Sequence, residues 1–304
     1  MLSNAAQQCP FLTGEGEGRT EEDLSAARAR RAEENKGRPT LTFEHNTPYV
    51  DYVGIDTLLG LNRPRTEEPT ESSFIITTQV MELLFSLLIE QWEAARDALE
   101  ADDVAGALSW LRRSRNVQDV LTGSWDLLAD MTPTQFNRFR DSLGEASGFQ
   151  SYTYRHLEFL LGNKAEPMVR PHKGMTQVAD RLRTVLAEPS LYDAALRLLH
   201  RRGLPVPEDK VERDWSCPHE PDPNVAKAWT QLYDDRPDNE LLQLAEALLD
   251  VAERVTRWRH RHLMAVKRTM GGKPGSGGSN GLTWLARNAE QDVFPELWML
   301  RSDV

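Results

Sequence analysis

Among residues able to do chemistry, one histidine stands apart by position. In segment 240–272 apolar side chains recur at 241, 244, 248, 251, 255, 258 and 266, and His262 falls into the same rhythm of threes and fours. That spacing predicts an amphipathic helix with His262 on the face of Leu248, Val251, Val255 and Trp258. His260 lies two residues beyond Trp258, about 200° around the helix, in a polar shell with Arg254, Arg257 and Arg261. A histidine on an apolar stripe is most often a satisfied core side chain. An imidazole facing a bundle interior is also a standard way to hold a haem iron. Other metal chemistries lack their ligands: there is no HExxH and no pair of Glu-x-x-His helices for zinc hydrolysis or a di-iron centre. Without a CxxCH, any haem would be held without thioether links.

Two further features carry chemical options. The segment GGKPGSGGSNG (271–281) has six glycines in eleven residues. It follows a helix and lacks GK[ST], so it is neither a Walker loop nor a dinucleotide fingerprint. Composition alone reads as a flexible linker; the functional alternative is a lid that orders over a small polar ligand through backbone N–H groups and a hydroxyl such as Ser276. The two cysteines, Cys9 and Cys217, argue against a disulfide framework and fit a reducing cytoplasm. Cys217, in Trp215-Ser216-Cys217-Pro218, reads as a loop cysteine rather than a metal ligand.

The elements that must position these residues are helices. The 304 residues are 39% hydrophobic and 27% charged, ordinary for a globular protein. A net charge of −11 argues against a nucleic-acid partner, which needs a basic face to displace counterions. No run approaches twenty consecutive apolar residues, and the N-terminus turns polar and acidic at once, so neither a membrane span nor a secretion signal is expected. Residues 1–40 read as a polar tail, partly disordered, with a possible short charged helix at 21–35. From 41 to 304 a single all-α domain is predicted. Its helices are expected over 74–100, 103–129, from Pro133 with Thr132 as N-cap, and over 150–162 and 176–202. A last long helix over 224–270 is expected to break near Arg236-Pro237, and 203–225 reads as a long surface loop.

Several segments, in order, resemble the tryptophan 2,3-dioxygenase family. They are Tyr49-x-x-Tyr52 with Ile55-Asp56-x-Leu58-Leu59, then Phe74-Ile75-Ile76-x-x-Gln79 with Glu82-Leu83, TPxxFxxFRDxLG (132–144), SGFQS (147–151), EFLLGNK (158–164), WRHRH (258–262) and GSGGSNG. The resemblance extends over about 41–300. It implies an all-helical bundle enclosing a b-type haem, assembled as a homotetramer, that uses O2 on a tryptophan-like substrate. It makes His262 the iron ligand and gives Arg140 the substrate carboxylate, a task suited to the paired donors of a guanidinium. Phe74, Phe136 and Leu143 would shape an indole pocket, with Phe139, Trp125 and Trp258 about the haem. Ser276 would meet the substrate's ammonium and carboxylate. Tyr49 and Tyr52 would reach a neighbouring subunit's site. Without the family, the aromatic residues read as core and Arg140 as a surface ion pair with Asp141 or Glu145.

One departure matters. The family carries a histidine directly before Gln79, beside the indole N–H; here the position is Thr78. Threonine does not titrate near neutrality and offers one hydroxyl or room for a water. In addition, Phe136 replaces a common tyrosine, and the stretch before Phe74 lacks the family's His-Asp-Glu and is about two residues shorter. Three outcomes follow. The favoured one is a diverged, secondary-metabolic monooxygenase that converts tryptophan or a substituted one such as β-methyltryptophan to a 2-oxindole, with an external reductant. An ordinary dioxygenase would give N-formylkynurenine. A haem sensor or carrier would have lost catalysis.

Overall fold

The computed structural model describes residues 20–233, 239–273 and 281–302. None of these is in a strand, so the protein is all-α as expected. Contacts divide the chain into two compact units, residues 1–61 and 62–304. The sequence reading sets its boundary after residue 40; the division after Leu61 puts Tyr49 and Tyr52 in the first unit.

Among the described residues the first unit has three helices. α1 (Glu21–Glu34) starts from Thr20 in a capping box with Asp23, and Asp23 and two glutamates complement the positive end of its dipole. α2 (Pro48–Val53) has Thr47 as N-cap and Pro48 at its first position. α3 (Ile55–Gly60) follows Gly54, whose φ of +66° is a left-handed conformation that only glycine adopts without strain. None of the three buries a residue. Short helices without a buried face are marginal in water.

The second unit is built on two long helices. α4 (Thr70–Glu100) and α5 (Val104–Gly123) pack along their lengths, with α4 burying Met81, Phe85, Leu88, Ile89, Trp92, Ala95 and Leu99. α4 is the described helix long and apolar enough to cross a membrane, with a mean hydropathy of 1.6 over its best window. One face of it packs against α5 and the helices that follow. The helix expected over 103–129 ends earlier: after Gly123 the chain tightens into a 3-10 turn, Ser124–Leu128, which swings Trp125 out of α5's register. α6 (Pro133–Arg140) begins as predicted, with Thr132 and Gln135 in a capping box and Pro133 at N1. It continues into a 3-10 turn, Asp141–Leu143.

α7 (Tyr152–Leu160) is buried from Arg155 to Leu160. The helix expected over 176–202 is two, α8 (Thr176–Ala187) and α9 (Leu191–Arg201). Pro189 stops the first, and Ser190 starts the second in a capping box with Asp193. Lys164 seals the break: its buried ammonium donates to the carbonyls of Val185, Leu186 and Glu188 at 2.6, 3.0 and 2.7 Å, the unsatisfied oxygens at α8's end.

The stretch read as a surface loop carries α10 (Glu208–Val211) and is tied down by buried charge. Arg213 pairs with buried Asp193 at 2.7 Å, and His219 with buried Glu296 at 2.6 Å. α11 (Pro223–Thr230) and α12 (Glu240–Thr269) replace the single broken helix, and the break proposed at Arg236-Pro237 lies outside the described residues. α13 (Gly281–Ala289) and α14 (Pro295–Met299) close the chain. One main core joins α4, α5, α7, α9, α11, α12 and α14. Two satellites lie beside it, one between α7 and α8 and one on α6.

Candidate functional site

The site begins at the seam of α5 and α12. Leu244, Leu248 and Val251 bury the N-terminal half of α12's stripe; toward its C-terminal half Trp258 is still buried and His262 half-buried, so the stripe runs out of the core at the histidine. The His262 imidazole stacks on Trp125, with centroids 4.6 Å apart and planes 16° from parallel, and meets Trp258 at 5.5 Å. It makes no hydrogen bond or ion pair among the described residues. Burial therefore acts unopposed on the ring and pushes it down to about 4. At neutral pH it is an uncharged imidazole with a free lone pair, the form that ligates metal. His260 is exposed and faces its own helix, its Nδ1 2.9 Å from the Thr256 carbonyl. Around it Arg254 pairs with Asp119 at 3.1 Å and Arg261 with Asp126, the polar shell that periodicity assigned.

Trp125 links this seam to a second aromatic group. Phe136 and Phe139, three residues apart and on one face of α6, are buried with Leu128 and Met131. Phe74 of α4 packs on both, at 6.1 and 5.6 Å, and Phe136 meets Phe139 edge-on at 5.2 Å. Half-buried Leu143, Trp125 and Met270 complete the cluster. Arg140, half-buried, closes α6 one residue after Phe139. Thr78 stands one turn along α4 from Phe74 and is exposed. Its hydroxyl donates back to the Phe74 and Ile75 carbonyls at 3.1 and 2.8 Å. To serve a ligand it must first leave that helix bond.

The fold thus gathers Phe74, Phe136, Phe139, Leu143 and Trp125, and joins Trp258 and His262 to them through Trp125. Tyr49 and Tyr52, both exposed, belong to the first unit. Ser276 lies outside the described residues. The segment leading to it passes α6, where Lys273 donates to Asn137 at 3.2 Å and Met270 packs on the phenylalanine cluster.

Sequence reasoning missed a buried charge node one turn before His262. Glu158 of α7 pairs with Arg155 and, at 3.7 Å, with Arg259 of α12. It also accepts from Asn163 at 3.1 Å and from Asn288 of α13 at 3.2 Å. Arg259 donates to the Gln291 carbonyl at 3.0 Å. Glu158 and Arg259 both lie inside motifs quoted above. The available signal was a fully charged residue beside the tryptophan of an apolar stripe.

The residues fit a haem. Among the described residues no three His, Cys, Asp or Glu side chains converge as a metal site. What is present is one neutral imidazole among apolar rings, enough only for a metal whose other donors come from a macrocycle.

The comparisons agree. The family model for tryptophan 2,3-dioxygenase matches residues 34–234 and 230–304. Proteins named tryptophan 2,3-dioxygenase from Bradyrhizobium sp. (strain BTAi1), Bordetella parapertussis and Ralstonia pickettii are 42%, 40% and 38% identical to the chain. The matches cover 86%, 87% and 87% of this chain and 94%, 93% and 95% of those proteins. An all-α fold, a neutral imidazole beside an aromatic cluster, and similarity over nearly the whole length lead to one conclusion: the chain belongs to the tryptophan 2,3-dioxygenase family of haem-dependent oxygenases.

Proposed function

We propose that the chain oxygenates the indole ring of L-tryptophan, inserting both atoms of O2 across the C2–C3 bond to give N-formylkynurenine. The observation that carries this reading is the Phe74–Phe136–Phe139 cluster, joined through Trp125 to His262 and flanked by Arg140. His262 would hold b-type haem. When bound, that group supplies the activation of O2. The chain's own residues bind and orient. The phenyl rings and Leu143 exclude water and accept the indole, whose burial is worth about 4–6 kcal/mol at ~25 cal/mol/Å². Apolar burial cannot choose between ends of a ligand; Arg140 does so by engaging the carboxylate through two parallel hydrogen bonds. Arg140→Ala is expected to weaken L-tryptophan binding about 10- to 100-fold while leaving haem content unchanged, read by calorimetry and pyridine haemochrome.

Thr78 is the specific observation behind a second reading, the 2-oxindole. Its hydroxyl cannot act as a base near neutrality, and it is already spent on its own helix. Nothing in the comparisons supports the one-atom product or an external reductant, and the relatives' names favour two atoms. Reduced enzyme given tryptophans under 18O2 decides by mass spectrometry. Two labelled oxygens in N-formylkynurenine are expected. One label in a 2-oxindole overturns the dioxygenase, and no turnover across a substrate panel favours the sensor.

A homotetramer is part of the same reading. It is supported by the first unit's helices, which bury nothing, and by exposed Ile76, Leu83 and Leu87 along one face of α4. Exposed Tyr49 and Tyr52 would then find a neighbouring subunit's site, and Ser276 would meet the substrate's polar end.

A further inference from the structure

The geometry points to Glu71 as a positioning residue: it folds residues 62–69 into a strap that ties the start of α4 to the end of α6 and so sets the aim of Arg140. This rests on the reading of Arg140 as the carboxylate-binding residue.

Glu71 lies in the first turn of α4, only 1% exposed, one turn before Phe74. A buried carboxylate must be saturated with donors. The strap supplies three: the Arg65 amide at 2.9 Å, and the Thr66 amide and hydroxyl at 2.8 and 2.6 Å. Burial alone would push the carboxyl up, but the Thr66 hydroxyl and the two amides outweigh it and hold the group below the usual carboxylate range.

Folded around that anion, the strap reaches α6 at one point and the 3-10 turn that continues it at another. The Arg65 guanidinium donates to the Ser142 carbonyl at 2.7 Å, two residues past Arg140. Glu68, itself buried and accepting from the Thr70 hydroxyl at 3.0 Å, pairs with Arg138 at 3.0 Å. Arg138 and Arg140 are about 200° apart around the helix. The strap therefore grips the side of α6 turned away from Arg140, while Phe136, one turn before Arg140 on the same face, and Phe139 pack into the aromatic cluster.

α6 has only eight residues, too few to fix its own orientation. Aromatic packing holds its distance from α4 yet tolerates small rotations. The two polar ties stop rotation, and rotation is what would misdirect a guanidinium at the helix end.

The test is calorimetric binding of L-tryptophan and of tryptamine, which lacks the carboxylate, to the haem-loaded enzyme. Glu71→Gln keeps shape but sets an NH2 against a strap donor. It is expected to weaken L-tryptophan about tenfold, change tryptamine less than twofold, and add nothing on an Arg140→Ala background. Should Glu71→Gln not fold, exposed Arg65→Gln cuts only the tie to Ser142, and a three- to tenfold loss with the same ligand pattern is expected. Equal loss for both ligands, additivity with Arg140→Ala, or an unchanged L-tryptophan affinity overturns the proposal. If Arg140→Ala itself leaves L-tryptophan binding intact, the Arg140 reading fails first, and that result is distinct from the others.

Discussion

His262→Ala is expected to abolish axial ligation of haem, lowering affinity by about a hundredfold or more, while His260→Ala leaves it unchanged. Partners in the second shell of a metal site alone are worth about 10–100-fold, so removing the ligand exceeds that. The contrast between two histidines only two residues apart follows from helix geometry. His262 extends the stripe of Val251 and Trp258 and stacks on Trp125, whereas His260 is exposed and turned to the Thr256 carbonyl. Wild type and His260→Ala should show a five-coordinate, histidine-ligated ferrous spectrum. Retention of that spectrum in His262→Ala would remove the assignment. Because burial holds His262 near 4, the imidazole stays neutral well below pH 7, and haem uptake should not fall as pH drops from 8 to 6.

Glu158→Ala is expected to be the most destabilising single change at the site, costing about 3–5 kcal/mol, since it leaves the guanidinium groups of Arg155 and Arg259 buried without their shared anion. The three residues are 1%, 3% and 2% exposed. For a unit of this size that corresponds to a melting point lower by ~10 °C in a thermal scan. A control sits on the surface: Arg170 and Glu166 form an i,i+4 pair with side chains 72% and 64% exposed, and Glu166→Ala should cost no more than about 0.5 kcal/mol. The difference between the two carboxylates is desolvation rather than distance. A loss for Glu158→Ala as small as the surface control would show that the node is hydrated. The node matters to function because Arg259 lies on α12 one turn before His262, and Asn288 brings α13 to the same carboxylate. Its loss should loosen the register of the histidine as well as the fold.

Local rules made much of this legible. Thr132-Pro133 marks the start of α6 because a hydroxyl N-cap and a proline at N1 act within one turn. The three-four spacing of Leu244, Leu248, Val251 and Trp258 assigns His262 to an inner face because helix geometry is periodic. The misread boundaries have physical causes. The 3-10 turn at Ser124–Leu128 has no strong breaker after Gly123 to announce it. The α8–α9 break at Pro189 is held by Lys164, which is distant in sequence. The stretch 203–225 looked like solvated loop because its composition is polar, but two of its side chains, Arg213 and His219, reach Asp193 and Glu296 inside the molecule.

By itself, then, the sequence determined the helical class, the inward histidine and the aromatic set, because each depends on spacing within one helix or on a motif read in place. Only the tertiary structure decided that Trp125 stacks on His262, that Phe74 meets Phe136 and Phe139 from another helix, and that Glu158 and Glu71 are buried anchors rather than surface charge. A carboxylate has the same letter in water and in a core. What distinguishes the two is the set of donors that distant segments bring to it.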